Sequence, residues 1–573
     1  MFLRCGPNSR RFPEGSKEVL VHRRMVALVA VATLLLGISV GHAQSLEDRV
    51  DSLRLDNGML FLLVNRPQAP VFSGAVMIRV GGVDDPQGQT GMSHLFEHMA
   101  FKGTPWIGTK DYAAEVQVLR RIDSVAVLYT KTLSPIPIAD RDLLGSLSER
   151  AKLDLTKSMP GLTQLSIEPA IAAALAETLK AAPDRYPSLA RYVEARGHYA
   201  EMKRLSAEQK KYGIKDEFSK IVRVNGGANF NAGTGKDYTM YYESFPANRL
   251  ELWAMLESQR FMYPVMREFY SERDVVAEER RMRIDDDPEG KVYEQFLATA
   301  MQAHPYRVPI VGWMSDIQRV TAEDAMRFRA KYYVPSNAIG VLVGKLDIAK
   351  TRETIRRYFE RIPVGTEPIP VVRTLEPPQK GERRSEVHFD AEPMIMVGYH
   401  KPNYPHPDAI VFSAIANIIR DSGNSSRLYK SMIKPGLAAE VSIYEELPGS
   451  RYPNLCLFQI KPNTPRTAAD METALYGELD SLANHPVSDF ELRKCKNQLE
   501  ADYIRKLADN TNLARSLARA QLVSGSWRFV TEHRKRVAKV TREDIMRVAK
   551  KYFGRDNRTV ITLVKTSATT SMK

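Results

Sequence analysis

Cysteine is scarce in this chain and no apolar run is long. Three Cys occur in 573 residues, none in a CxxC pair, which excludes a disulfide framework. Cys456 and Cys495, the two beyond the N-terminal segment, are expected to be buried free thiols, with a single bridge as the alternative. The apolar run Val26 to Val40 is fifteen residues long, short of the ~20 that a bilayer-spanning helix needs. His22, Arg23 and Arg24 precede it and Gly41 and Ala43 follow it, the layout of a cleaved secretory signal peptide. Residues 1–43 are therefore expected to be removed, leaving a mature chain from about Gln44 with no membrane span, periplasmic or secreted. The polar stretch before Met25 is long for the charged end of a signal, so Met25 is an alternative start. A Lys/Arg block with interleaved aromatics is also missing. The net charge of +14 falls to +10 without residues 1–43, which hold six basic and two acidic residues. A spread excess of this kind argues against a nucleic-acid partner.

What the chain does have is length, with 43% hydrophobic residues, enough for at least two domains. It also repeats itself. Val320 to Gly344 and Val540 to Val564 align at a constant offset of 220, with Val, Thr, Glu, Asp, Met, Arg, Lys, Tyr and Asn recurring in step. Each copy reads as a Thr-capped helix ending near Lys-Tyr, followed by an apolar strand. Two related domains in tandem are expected, 44–360 and 387–573, joined by a Pro- and Gly-rich linker at 361–386. Within the first, charged helical segments from about 113 to 217 break the pattern and read as a helical insertion.

The densest chemistry is in "TGMSHLFEHMAFKGT", Thr90 to Thr104. On a helix, His94 and His98 stand at i and i+4 on one face with Glu97 beside them. Two imidazoles at that spacing can share a metal ion. A catalytic zinc takes three protein ligands and leaves a position for water, and a neighbouring carboxylate can accept that water's proton. The helical run "YSERDVVAEERR" offers Glu272, Glu278 and Glu279 as sources of a third ligand; Glu272 and Glu279 are two turns apart and share a face.

HxxEH is the inverted zincin motif, and the chain resembles the M16 insulinase/pitrilysin peptidases, the group that includes mitochondrial processing peptidase. The likeness rests on "GGVDDPQGQTGMSHLFEHMAFKGT", "GGANFNAGTGKDYTMYY", "ERDVVAEERR" and "SSRLYKSM…GLAAEV", and spans nearly the whole mature chain. It implies an α+β fold of two tandem homologous domains, each a mostly antiparallel sheet with helices on one face, the M16/LuxS-like metallohydrolase fold, with zinc in the first domain only. It further implies that His94, His98 and Glu279 ligate Zn2+, that Glu97 is the general base and that Glu272 supports the site. Asn231 and Ala232 would lie on an edge strand that binds an extended peptide; the residue-level alternative is a plain hairpin with Asn-Ala-Gly at its turn.

Two features depart from the family. His98 and Glu279 are 181 residues apart, a distance the insertion accounts for. The second domain lacks the family's Arg and Tyr that reach a bound peptide: Met432 and Ala439 stand near those positions, and Arg427 and Tyr429 are better read as packing residues. The resemblance therefore implies a zinc endopeptidase acting on peptides, paired with a second M16-type subunit that supplies the missing Arg/Tyr. The alternatives are a non-catalytic peptide-binding or assembly subunit, and a protein that zinc merely stabilises, which would need a fourth ligand that no Cys or His is placed to give.

Overall fold

The repeated segment organises the architecture. The computed structural model describes residues 45–566 except 160–161, 182–187 and 421–424; the expected signal peptide, residues 1–43, lies outside them. Residues 45–49 belong to a first unit that ends at Arg49, in which the helix Leu46–Arg49 is started by Asp48 accepting from Ser45 Oγ at 2.7 Å. The rest of the chain, from Val50, is a second unit.

In that unit one sheet is built from β1 (Val50–Arg54), β2 (Leu60–Asn65), β3 (Val71–Ile78), β4 (Ala228–Thr234), β5 (Thr239–Pro246) and β6 (Ala338–Gly344), in the order β1-β2-β6-β3-β5-β4. A second sheet uses β7 (Arg383–Phe389), β8 (Met394–Lys401), β9 (Ala438–Leu447), β10 (Asn454–Pro462) and β11 (Arg558–Lys565), in the order β7-β11-β8-β10-β9. Leaving β1 aside, the two orders coincide. In each sheet one pair is parallel (β2 with β6, β7 with β11) and the others antiparallel. The fold is α+β, two homologous sheets with helices.

Seven helices of the first half carry the argument: α1 (Met92–Met99), α2 (Tyr112–Leu133), α3 (Ile138–Ser158), α4 (Gln164–Ala181), α5 (Leu189–Gln209), α6 (Leu250–Met262) and α7 (Phe269–Arg280). They are followed by α8 (Pro288–Ala300) and α9 (Ala322–Tyr332), and in the second half by α10 (Pro407–Ile419), α11 (Asn510–Ser524) and α12 (Arg542–Tyr552). The repeat corresponds to α9-β6 and α12-β11. Both helices open with a capping box, Thr321 with Asp324 and Thr541 with Asp544, each cap contributing about 0.5–2 kcal/mol. The shared Asn has a purpose too. Asn337 donates to the carbonyls of Tyr332 (2.9 Å) and Arg79 (3.2 Å), and Asn557 to those of Tyr552 and His400 (both 2.8 Å). In each half it ties the end of the helix to the strand beside it.

The halves also exchange helices. On its own side the first sheet is covered by α6, whose Trp253 lies so close to β3 that a Cβ on Gly74 would meet the indole at 2.4 Å. Its opposite side is covered by α11 from the second half, which lies over β3 and β6 and bonds through Thr511 Oγ1 to Ser73 Oγ at 3.0 Å. Reciprocally, α8 from the first half packs on β7, β8 and β11. Gly398 admits Phe296 there, since a Cβ would lie 2.2 Å from its ring. Arg383 and His400 accordingly bond the last carbonyl of α8, Ala300 O, at 2.6 and 3.0 Å. A buried cluster joins Val292, Phe296 and Leu297 of α8 to Met396, Leu457 and Ile561 of the second sheet. By transfer alone each such side chain contributes about 1.5–3 kcal/mol.

The insertion is a set of helices, α2 to α5, with a small apolar core of its own around Leu144, Ile171, Leu175 and Leu189. It is closed at its base. Lys110 N bonds Tyr212 O at 2.8 Å and Ile214 N bonds Gly108 O at 3.0 Å. Beneath them, buried Arg267 donates to Glu115 at 2.9 Å and to the carbonyls of Lys102, Thr104 and Ile107. A long excursion that leaves and returns at one point does not displace what flanks it. Cys456 and Cys495 are both buried and unpaired, as the composition led us to expect.

Because each half covers a sheet face of the other, residues 45–360 and 387–573 expressed separately are expected to be aggregated or to bind hydrophobic dyes, and to regain sharp melting when co-expressed. Two independently monomeric, cooperatively melting halves would contradict this.

Candidate metal centre

Helix α1 is short, and its sequence separates two faces. Met92, Leu95, Phe96 and Met99, at i, i+3, i+4 and i+7, are buried; Phe96 packs against Tyr333 in a tilted pair with centroids 4.6 Å apart. His94, Glu97 and His98 are left on the other face. The helix has no side-chain cap of its own, because the N-cap is Gly91 with φ 87°. A Cβ there would stand 2.4 Å from Val311 O, so both space and dihedral call for glycine. Asp85 supplies the cap instead. It accepts from Gly91 N at 2.8 Å and Ser93 N at 2.9 Å, and from Ser93 Oγ. Burial pushes its carboxyl up to about 6 against these hydrogen bonds. Thr90 is fixed by Asp316, at 3.1 Å to its amide and 2.7 Å to its hydroxyl.

Facing α1 is α7. His94 Nε2 and His98 Nε2 lie 3.6 and 3.7 Å from Glu279 Oε2, and one ligand atom from each of the three residues falls within 4.8 Å of the others. Ligands about 2.0–2.2 Å from a tetrahedral zinc stand at such separations, so two imidazoles and a carboxylate fit that ion. Among the described residues no fourth His, Cys, Asp or Glu joins the group, which leaves a coordination position for water or substrate and argues against a closed, purely structural site.

The surroundings set the protonation of each member. Burial, with His98 and Arg283 nearby, pushes His94 down to about 3, so its imidazole is neutral and able to ligate. The hydrogen bond from His98 Nδ1 to Glu272 Oε2, 3.3 Å, raises His98 and directs its Nε2 towards Glu279. Burial alone would raise Glu272, but hydrogen bonds from His98 and Lys102 hold it below its usual range. Burial raises Glu97, partly offset by the Thr234 hydroxyl, which donates to its Oε2 at 2.7 Å. Glu278, the third acid of the run, pairs with Arg281 at the surface, away from the cluster.

Asn231 and Ala232 lie on β4, the outermost strand of its sheet, opposite Tyr242 and Tyr241 of β5. They are within the strand; the hairpin turn comes later, at Gly235 to Tyr238. Asn231 Oδ1 accepts from Ala232 N at 2.8 Å, and the strand's far edge pairs with no other strand of the sheet. Thr234 at the end of this strand touches Glu97, so the edge runs into the metal centre. Arg427 is engaged elsewhere, donating to Glu491 at 2.8 Å. Met432 is fully buried, and Ala439 is exposed on β9.

Sequence reasoning missed three contributors: Asp85, Thr234 and Lys102, which binds Glu268 at 3.0 Å and also Glu272. Lys102 stands four residues after His98, a spacing that could have suggested it.

Two family models match the chain: Insulinase (Peptidase family M16) over residues 60–119 and Peptidase M16 inactive domain over 319–499. Zinc protease PqqE of Helicobacter pylori is 32% identical over 345 residues, 59% of this chain and 76% of that protein. An uncharacterized zinc protease of Mycobacterium leprae is 26% identical over 334 residues, 56% and 73%. Among solved structures, a protease from Helicobacter pylori has a TM-score of 0.67 at 24% identity, covering 90% of this chain and 99% of that one. The first half of the periplasmic protease PqqL from Escherichia coli has a TM-score of 0.59 at 14% identity, covering 91% and 92%. Both likenesses concern the fold.

Three outcomes are expected. Asp85→Ala leaves buried amides at the start of α1 unpaired and should cost about 1–3 kcal/mol in chemical denaturation. Zinc affinity, measured by competition with a chelator, should fall as the pH drops below the raised pKa of His98, approaching about tenfold per pH unit, because the metal must displace that proton. Glu272→Gln removes the partner that raises His98, so the onset should move to lower pH while affinity at neutral pH weakens about 10–100-fold.

Proposed function

The chain belongs to the M16 peptidase family, and on that premise we propose that it is a zinc-dependent endopeptidase for peptides or unfolded segments, acting as the metal-bearing subunit of a heterodimer. The observation that carries this reading is the meeting of His94, His98 and Glu279 beside a hydroxyl-held Glu97, at the end of an open edge strand. In it His94, His98 and Glu279 hold the metal, and zinc bound there supplies Lewis acidity that polarises a carbonyl and acidifies water.

The protein's own groups do the rest. Glu97, whose carboxyl burial raises above its ordinary value, takes the proton of the attacking water and returns it to the departing amide nitrogen. Thr234 fixes the carboxylate oxygen that does not carry this proton. Glu272 holds His98 in the tautomer whose Nε2 is free, and Lys102 keeps Glu272 ionised. A substrate chain adds to β4, with Asn231 and Ala232 offering main-chain and amide hydrogen bonds, so that backbone geometry positions the scissile bond with little regard to side chain.

The proposal of a partner draws on the second half. With Met432 buried and Ala439 exposed where the family's peptide-reaching Arg and Tyr would stand, a second M16-type subunit would have to supply that pair. Export by the N-terminal segment would put the pair in the periplasm, where the Escherichia coli neighbour of similar fold is described as acting. The second reading, a non-catalytic peptide-binding subunit, draws on the family description of residues 319–499 as an inactive domain. That segment runs from α9 and β6 into the second half and lies outside α1 and α7, so it does not bear on the metal ligands.

The deciding experiment is zinc content with cleavage of quenched fluorescent peptides, for the chain and for Glu97→Gln, with and without the partner. Glu97→Gln is expected to keep its zinc and to lose about 10²–10⁴-fold in kcat. Zinc-loaded protein that cuts nothing in any pairing would favour the peptide-binding subunit, and full activity from the chain alone would remove the heterodimer.

A further inference from the structure

The loop between β9 and β10, residues 448–453, carries a cation from the second half into the first. Arg451 Nη2 donates to both oxygens of Asp84 at 2.7 Å. The amides of Ser450 and Arg451 donate to Asp237 Oδ2 at 2.6 and 3.1 Å, and the Tyr306 hydroxyl donates to Asp237 Oδ1 at 2.6 Å. The side chains of Arg451, Asp84 and Asp237 are 5%, 4% and 3% exposed. Charges so far from water are tolerated only when paired and hydrogen-bonded, and the pairing then fixes their positions closely. The close approach needs Gly449, where a Cβ would stand 2.6 Å from Asp237 Oδ2 and 2.5 Å from the Tyr306 hydroxyl.

The two acids belong to the two elements that orient Glu97. Asp84 immediately precedes Asp85, whose carboxylate receives the first amides of α1. Asp237 is in the β4–β5 turn, three residues beyond Thr234, whose hydroxyl holds Glu97. The two stretches are already stitched together, Gly82 N to Gly235 O at 3.1 Å and Val83 N to Lys236 O at 3.0 Å. Arg451 Nη2 bonds Asp84 and the amides of its own loop bond Asp237, with Nε 3.9 Å from Asp237 and beyond hydrogen-bond reach, so the loop engages both acids. The planar guanidinium fixes the orientation of Asp84 in a way that a lysine's point charge does not.

We infer that Arg451 is a positioning residue for the metal centre: through Asp84 and Asp237 the second half, which bears no metal ligand, sets where α1 begins and where Thr234 meets Glu97. This rests on the peptidase reading for its kinetic consequences, but its structural consequence can be measured without zinc or substrate.

The test uses the full chain with Arg451→Met, Arg451→Lys and the double variant Arg451→Met/Asp84→Asn. Amide hydrogen exchange of the metal-free proteins should show Arg451→Met loosening residues 92–99 and 228–239 while β10 stays protected. Its zinc affinity should weaken about tenfold or more, and kcat with the partner should fall by a similar factor at nearly unchanged KM. Arg451→Lys should recover part of each. The double variant removes the carboxylate that would lose its donor, while Asp237 keeps the loop amides and the Tyr306 hydroxyl, so its melting temperature should return while zinc affinity and kcat stay low. Recovery of zinc affinity and kcat along with the melting temperature would overturn the inference, as would protection lost evenly across both halves. If wild-type protein neither binds zinc nor cleaves, the peptidase reading fails by itself; local loosening of 92–99 and 228–239 would still uphold the clamp, and its absence would overturn it.

Discussion

Each sheet has two faces to bury, and its own half supplies helices for only one. That shortage shapes the rest of the molecule. Helix α11 closes the first sheet and α8 closes the second, so a chain that duplicates a unit in sequence cannot be divided into two units in space. The exchange also explains the glycines that look misplaced in strands. Gly74 and Gly398 stand where a large aromatic from a covering helix presses on the backbone, and any side chain there would hold the helix off the sheet.

On this frame the candidate metal centre is an arrangement of like charges kept apart by their surroundings. Four carboxylates, Glu97, Glu268, Glu272 and Glu279, surround two imidazoles and one ammonium. Left alone they would repel, but Lys102 ties Glu268 to Glu272, His98 binds Glu272, and Thr234 holds Glu97. Environment then distinguishes residues of one type: burial raises Glu97, while two donors hold Glu272 down, the division that the proposed roles of proton carrier and orienting anion require.

The second half shows what the same topology becomes without that chemistry. Helix α10 follows β8 as α1 follows β3, yet it reads "PDAIVFSAIANII" and buries most of its surface. Asp408 at its start is bonded by Arg547 at 2.7 Å, Tyr552 at 2.9 Å and Lys551 at 3.0 Å, the last three residues all belonging to the repeated helix α12. Its polar groups serve the fold, and Arg451 extends that service across to the first half.

The sequence by itself determined what depends on local spacing. The i, i+4 imidazoles with an intervening acid, the Thr-capped repeat and the apolar alternation of the strands are periodic signals, and they suffice for two homologous α+β halves and for a candidate metal-binding face on α1. Resemblance singled out Glu279 from its neighbours; spacing alone left Glu272, Glu278 and Glu279 open, and only the packing of α7 against α1 turns Glu278 to solvent. Tertiary structure alone decided the rest: that α8 and α11 change places, that α1 is capped from Asp85 six residues before Gly91, and that Arg451 reaches across from the other half. The helix exchange and the Arg451 contact join residues hundreds of positions apart, and none of the three has a periodicity that would announce it. Their physical cause is the need to satisfy buried charge and cover an apolar face, which is set by what chain closure brings near and not by what stands next in line.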